Sequence, residues 1–453
     1  MAGIPTSPSD SAPPLLGSFP QYANLYWNDK WGASNETTPA RDQILRALAN
    51  HKVVIFNEDN TNPYTAGGTK DYGIEDAPSR LRAMNSEILV GISVNGWTVN
   101  NVGGGGSDYF PFQTMLWNAC TANDWWVRFT NGAGAIVNSD GDTGAYRLFD
   151  VTNPSFRDWY AANVRRYFLM LGYDAYDFVF FDEMHNTLAA IPTQASGKTP
   201  ADIALFNEST SSRTALSASA RDAAWALGYR RLLAMIPEVL AMPNGSMDPL
   251  PSMIGRMVQG IYPATKPDNV FPSILAHFAN TRRCNRLMFI EAEWGSWIPQ
   301  WINQINLTET QLLAMGLISG AGNYLAQGSW ATYRTACANL ACIASIMDGV
   351  GQLDMRPSGI AGDFKHPWQY FAYAPGAFGV PMEYTTQGFE TPRILTESIN
   401  ASGGTNGSGI YWRDFTKAKV AFNWQYNGGG APSLTWSQSG ASIAANTGAV
   451  IFK

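Results

Sequence analysis

The chain has 453 residues, 45% of them hydrophobic and only 15% charged, beyond the size at which one core stops growing, so a large enzyme-sized domain with a smaller appendage is expected. A net charge of −6 with no basic run excludes a nucleic-acid groove, which needs clustered Lys and Arg, and nothing in the sequence resembles a membrane span. The four cysteines, Cys120, Cys284, Cys337 and Cys342, have neither metal-ligand spacing nor disulfide density, so no metal and no cofactor is expected; Cys337 and Cys342 read as small buried hydrophobes on a helix.

Residues 1–18 form a Ser- and Pro-rich leader without a cationic start and apolar core, so no secretory signal is read there. That leaves a cytoplasmic protein, a truncated chain, or one released by lysis or carried on a particle such as a virion. Residues 22–27 read as a first strand, and Thr38-Pro39 starts a helix through Leu48 with Ile44, Leu45 and Leu48 apolar. A second strand covers 52–56 and ends in the polar turn Asn57-Glu58-Asp59. A helix near 76–84 leads into a strand over 88–95. The glycine run at 103–106 lacks the pattern of a phosphate cradle and reads as a loop.

A helix over 111–123 follows, then a short strand over 125–129. Asn153-Pro154 opens an amphipathic helix through Leu171, with residues 150–152 supplying capping groups. Next comes Tyr176-Asp177-Phe178-Val179-Phe180-Phe181-Asp182-Glu183-Met184-His185-Asn186. Its unbroken apolar run into two adjacent carboxylates is the pattern of a buried parallel strand emerging into a pocket. Strand alternation puts Phe178, Phe180 and Asp182 on one face and Val179, Phe181 and Glu183 on the other, so only one acid points fully inward.

A long polar loop to about Ser211 and a helix over 214–240 come next, then a weaker strand over 257–262. Residues 286–294 repeat the central design, with the strand Arg286-Leu287-Met288-Phe289-Ile290 running into Glu291-Ala292-Glu293-Trp294. A candidate strand at 322–328 precedes a helix over 330–347. From about Val380 the texture turns to short β-rich runs at 408–415, 419–423, 433–436 and 449–452, the spacing of a small antiparallel domain.

Alternating strands and helices with polar residues ending several strands predict an α/β fold, a (β/α)8 TIM barrel with a small C-terminal antiparallel β-domain. The expected division is a leader over 1–18, a barrel over 19–379 and a β-domain over 380–453. An open doubly wound sheet would need a glycine-rich first turn, which Trp27-Asn28-Asp29-Lys30 does not provide.

In such a barrel the active site lies at the C-terminal strand ends, which gathers Asp29, Glu58, Asn95, Asp182, Glu183, Glu291, Glu293 and Gln327 on a common face. Paired carboxylates are the apparatus of glycosidic hydrolysis: one protonates the leaving oxygen, the other attacks the sugar carbon or activates water. Asp182 is the candidate nucleophile, with Glu183 its alternate. Glu293, furthest toward the mouth, is the candidate general acid/base, and Glu291 supports it. Asn95, Asp29, Glu58 and Gln327 are candidate substrate contacts. His185 is placed to orient an acid or bind substrate, and no second His lies at metal-ligand spacing. Trp27, Trp294 and Trp297 offer flat faces for sugar rings. No GxSxG elbow marks serine chemistry, and the 4 histidines speak against a metal-dependent hydrolase.

The run Asp177-Phe178-Val179-Phe180-Phe181-Asp182-Glu183, the Phe289-Ile290-Glu291-Ala292-Glu293 strand, and the tail from Gly409-Ile410-Tyr411-Trp412-Arg413-Asp414-Phe415 through Val420-Ala421-Phe422-Asn423 to 449–452 together resemble glycoside-hydrolase-like TIM-barrel proteins. The resemblance implies a carbohydrate-active barrel, with Asp182 matching the acid of a central strand and Glu291 or Glu293 a second acid. The doubled Asp182-Glu183 departs from the single Asp many such sequences carry. The expected partner is a polysaccharide or oligosaccharide; the competing expectation is a non-catalytic carbohydrate-binding or structural protein, such as a virion or surface component, on the same barrel. Oligomeric state is not legible in the sequence.

Overall fold

The computed structural model describes residues 17–26, 45–57, 77–96, 98–100, 111–130, 135–139, 146–170, 176–185, 188–189, 191–194, 197–236, 239–244, 288–294, 330–346, 349–355, 371–383, 395–397, 409–424, 433–445 and 447–453. In chain order, strands β1 (Gln21–Tyr26) and β2 (Val53–Asn57) are followed by helix α1 (Ala77–Met84) and strands β3 (Leu89–Asn95) and β4 (Thr98–Asn100). Helix α2 (Pro111–Asn123) leads to β5 (Arg128–Phe129) and β6 (Tyr146–Leu148), then α3 (Pro154–Val164) and β7 (Phe178–His185). Strands β8 (Ile203–Asn207) and β9 (Ser212–Ala215) precede α4 (Ala218–Met235), β10 (Val239–Asn244) and β11 (Met288–Trp294). Helix α5 (Trp330–Ile346) and β12 (Gly349–Met355) lead to β13 (Leu395–Glu397), β14 (Gly409–Asp414), β15 (Ala418–Trp424), β16 (Leu434–Thr435), β17 (Ser442–Ile443) and β18 (Thr447–Phe452).

Several expectations need correction. The cap of α3 is not supplied by 150–152: the Asn153 side chain accepts from the backbone N–H of Ser155 and Phe156, with Pro154 behind it at the first helical position. Nor does α-geometry run on to Leu171, because Arg165–Met170 is a π-helix. The expected strand at 125–129 shrinks to β5 and an isolated bridge from Trp126 to Phe149. The supposed loop to Ser211 contains β8 and the turn of the β8–β9 hairpin, and Ile203, Ala204 and Leu205 of β8 are buried. The helix expected from 214 starts only after β9, with Ser217 as its cap. It ends at Met235 because Ile236, preceding Pro237, is held out of helical geometry at φ −123°, ψ 81°. What had been its last turn is the start of β10. Strand β12 was not anticipated at all. The leader, the glycine run at 103–106 and the expected strands at 257–262 and 322–328 lie outside the described residues, apart from 17 and 18 of the leader.

The chain divides into two compact units. The first, drawn from Asn57–Pro78 and Gly91–Met253, holds the parallel set β10-β7-β3. Strand β7 is its centre, with Phe178, Val179, Phe180 and Phe181 at most 1% exposed. Such a strand needs apolar cover on both faces. Part of it comes from α3, whose Tyr160 ring lies 5.9 Å from Phe181 and stacks in turn with Phe156 and Phe149. On β3, Gly91 lacks a side chain because a Cβ there would run into the Phe178 ring. Helix α4 packs against α3 and buries Trp225 and Tyr229. Two small antiparallel sheets, β4-β6 and β5-β8-β9, complete this unit.

The second unit, drawn from Ile4–Phe56, Ser79–Val90 and Ile254–Lys453, holds the parallel set β2-β1-β12-β11 and the antiparallel sheet β13-β14-β15-β18. Helix α5 packs against strands of both sheets, which explains its apolar character: residues 339–346 are all buried. At Gly448 of β18 the helix comes so close that an added Cβ would lie 2.6 Å from the Cys342 Sγ. The Arg413 side chain, fully buried, closes the C-terminal end of α5. Its guanidinium donates to the carbonyls of Ser345 and Ile346 at 3.3 and 3.1 Å and to Glu383 Oε1 at 2.8 Å. A cation there satisfies the last carbonyls of the helix and opposes its dipole.

The protein is therefore α/β with parallel strands and a C-terminal antiparallel sheet, and the β-rich tail is formed as expected. Among the described residues the parallel strands do not close into a ring.

Candidate active site

Parallel strands present their C-terminal ends at one edge, where polar residues interrupt the apolar runs. In the first unit this edge carries Asn95 of β3, Asp182 to His185 of β7, and Asn244 of β10. Asn95 is the register partner of Asp182, and Asn244 of His185. The Asn95 side chain is fixed by its own turn: Thr98 N–H donates to Oδ1 at 2.9 Å. The same turn is held from α4, where the buried Tyr229 hydroxyl donates to the Gly96 carbonyl at 2.9 Å; burial drives that phenol well above its ordinary range. Asn95 thus belongs to a braced corner beside Asp182.

The ladder between β7 and β10 is irregular at the doubled acid. Phe181 pairs with Ala241 and Met184 with Pro243, so Asp182 and Glu183 together stand opposite Met242 alone. One extra residue on one strand is the definition of a bulge, and bulges re-aim side chains near functional sites. Simple alternation, which set Asp182 and Glu183 on opposite faces, does not carry through this point. Alternation along β7 therefore does not choose between the two acids.

In the second unit, β11 carries Glu291, Glu293 and Trp294. Its neighbour β12 sets Gln352 opposite Glu291, Asp354 opposite Glu293 and Met355 opposite Trp294. Gln352, Asp354 and Asn244 are the residues that sequence reading missed. The signal for β12 was faint, because Gly349 and Gly351 dilute its apolar alternation; its trace was the strand owed after α5. In Pro243-Asn244 the dipeptide reads as a turn.

Of the other candidates, Trp27, Asp29, Glu58, Trp297 and Gln327 lie outside the described residues. Asp182 and Glu183 fall in the first unit, Glu291 and Glu293 in the second. Among the described residues no group of three or more His, Cys, Asp or Glu is assembled to hold a metal ion, and no helix is long and apolar enough to cross a membrane.

Other ionic groups are committed to architecture. Asp150, wholly buried before α3, accepts from Thr152 N–H at 3.1 Å, Thr152 Oγ1 at 2.5 Å and Phe206 N–H at 2.9 Å, tying the hairpin to the helix cap. Burial pushes its carboxyl up, against these bonds. Glu208 accepts from Arg157 and Arg231 at 2.8 and 2.5 Å, and Asp124 from Arg128 and Arg213 at 2.5 and 2.7 Å. Burial pushes the Asp124 carboxyl up, but its two arginines outweigh that and hold it below its ordinary value.

No protein-family profile matches the chain, and no curated protein matches it in sequence. Solved structures resemble it weakly. The catalytic subunit complex of ER glucosidase II aligns at 11% identity and TM-score 0.43, covering 98% of this chain and 45% of that one. GH36 α-galactosidase AgaA from Geobacillus stearothermophilus aligns at 10% and 0.41, covering 91% and 49%. The GH31 dextranase of Flavobacterium johnsoniae aligns at 10% and 0.44, covering 99% and 51%. The chain spans about half the length of each, and likenesses this weak fix neither chemistry nor substrate.

Proposed function

We propose that the chain is a glycoside hydrolase acting on a polysaccharide or oligosaccharide by paired-carboxylate catalysis, on a (β/α)8 barrel over 19–379 with a β-domain over 380–453. The observation that carries this reading is the repeated design of β7 and β11, each an apolar parallel strand whose C-terminal end bears two carboxylates within the span Asp182 to Glu183 or Glu291 to Glu293. Isolated acids at strand ends are ordinary; the same arrangement twice, at the edge where barrel enzymes carry their chemistry, is what two-carboxylate hydrolysis requires.

Asp182 acts as nucleophile. Asn95, its register partner, has its carbonyl oxygen held by Thr98 and belongs to the wall of the same site. Glu293 gives its proton to the glycosidic oxygen as the bond to the sugar carbon breaks and Asp182 bonds to that carbon. In the second half Glu293 takes a proton from the water that displaces Asp182. Glu291 supports Glu293, and Trp294 flanks it on the strand.

The test is separate substitution of Asp182→Asn and Glu293→Gln, with release of reducing ends from a glycan panel as the readout. Each is expected to lower turnover at least about 100-fold, the scale of a lost acid or base. Full activity in both variants would dismiss the site. Glycan binding without reducing-end release by the wild-type protein would identify a carbohydrate-binding protein instead.

A further inference from the structure

Strand β6 carries an arginine stacked on aromatic rings instead of paired with an acid. The Arg147 Cζ lies 4.4 Å from the centre of the Trp117 ring and 5.7 Å from that of Trp126. The two indoles meet edge to face at 4.9 Å, so they form one corner beneath the guanidinium. Among the described residues Arg147 has no carboxylate and no hydrogen-bond partner. Asp124, the acid beside Arg128, is already taken by Arg128 and Arg213. Burial, and after it the charge of Arg128, hold the Arg147 guanidinium below its ordinary value.

Stacking engages only the face of a guanidinium. Its N–H groups stay in the plane, as a fork that fits the two oxygens of a carboxylate. Arg147 and Trp117 are both half-buried, so the fork and the indole beside it are open to a ligand. The place is close to the proposed site. Val99 is the register partner of Arg147, and Thr98, just before it, is bonded to Asn95, which stands beside Asp182. From the Asn95 Cα through Val99 to the Arg147 Cα the path is no more than about 20 Å.

We infer that Arg147 on its indole corner is a subsite for the carboxylate of an acidic sugar, which makes the glycan one that contains uronate. A uronate ring supplies both parts, an apolar face for Trp117 and two in-plane oxygens for the fork. A neutral sugar leaves the cation unpaired. The inference deepens the proposed function and rests on its reading of the chain as one that takes a glycan.

The test is calorimetric binding of oligogalacturonate, oligoalginate and hyaluronan fragments at low ionic strength, each beside its methyl ester, which removes the charge and keeps the ring. The wild-type protein is expected to bind at least one acid form about 10- to 100-fold more tightly than its ester, the scale of a hydrogen bond to a charged group. That preference should shrink as salt is added. Arg147→Gln should abolish it. Arg147→Lys keeps a cation over the indoles without the fork, and should restore only part. The ratio of the two affinities is the readout, because a merely structural Arg147 would weaken acid and ester alike. No acid preference in the wild-type protein, or a ratio unchanged in Arg147→Gln, would overturn the inference; if urea titration shows that variant unfolded, a full preference in Arg147→Lys does so. Tighter binding of a sulfated oligosaccharide than of any uronate would overturn the carboxylate assignment. Acid preference that depends on Arg147, in a protein that releases no reducing ends, would retain the subsite and reject the hydrolase. Cleavage of neutral glycans at the same rate in Arg147→Gln, with no preference for acid forms, would reject the subsite and leave the proposed function standing.

Discussion

Arg413 offers the sharpest test of how the C-terminal sheet is fastened to the helix it covers. Its side chain is fully buried, it pairs with Glu383 at 7% exposure, and its Nη1 reaches the carbonyls of Ser345 and Ile346. Arg413→Met keeps most of the stem volume and removes the charge. Glu383 is then a buried carboxylate without its cation, and two carbonyls at the end of α5 lose their donor. Breaking one side of a buried ion pair costs about 3–5 kcal/mol, and each neutral bond to a helix carbonyl adds about 0.5–1.5 kcal/mol at most. The pair term dominates, so a loss of about 3–5 kcal/mol is expected. Native-state hydrogen exchange of the amides of residues 342–346 reads this locally, and at about 1.4 kcal/mol per factor of ten they should exchange two to three and a half powers of ten faster. Adding Glu383→Gln to Arg413→Met removes the stranded charge and should recover more than about 1 kcal/mol. An exchange rate within a factor of five of wild type, or a double variant weaker than the single one, would refute this account.

Gly448→Ala places a methyl group 2.6 Å from Cys342 Sγ and 2.8 Å from its Cβ; a loss of about 1–3 kcal/mol is expected in urea unfolding, and Cys342→Ala should return part of it. Asp150→Asn keeps an acceptor for Thr152 but turns an N–H₂ toward the Phe206 N–H, costing about 1–3 kcal/mol. The pH dependence follows from burial, which raises the folded value of Asp150 above the unfolded one near about 3.9. Its contribution is therefore complete below the unfolded value and declines as pH rises through the folded one. The stability difference between wild type and Asp150→Asn should shrink from acid to neutral pH, and a growing difference in parallel urea titrations would contradict the sign.

The tail motif invites a different reading once its contacts are seen. Arg413 closes α5, Asp414 pairs with Lys453 at 2.6 Å, Phe415 packs with Phe19 and Phe378, and the buried Asn423 donates to the Ile443 carbonyl at 2.8 Å. Each of these positions serves the packing of the C-terminal antiparallel sheet and its neighbours in the second unit. The residues that made the tail resemble hydrolase-like proteins are thus architectural, and they say nothing about chemistry at the strand ends.

Runs of one character were legible in the sequence. Phe178 to Phe181 could only be a buried strand, α2 and α5 showed their lengths to within a residue, and acids following apolar strands marked the edge where a site would form. These are local properties, set by alternation and by the break from apolar to polar. Elements diluted by glycine or proline were lost: β12 behind Gly349 and Gly351, and β10 behind Pro237. What the tertiary structure decided was pairing. That Asn95 stands beside Asp182, that Asp182 and Glu183 share one partner position, and that Asp354 stands beside Glu293 are statements about register between strands far apart in the chain. Register is fixed by the fit of whole faces to one another, and no residue carries it alone.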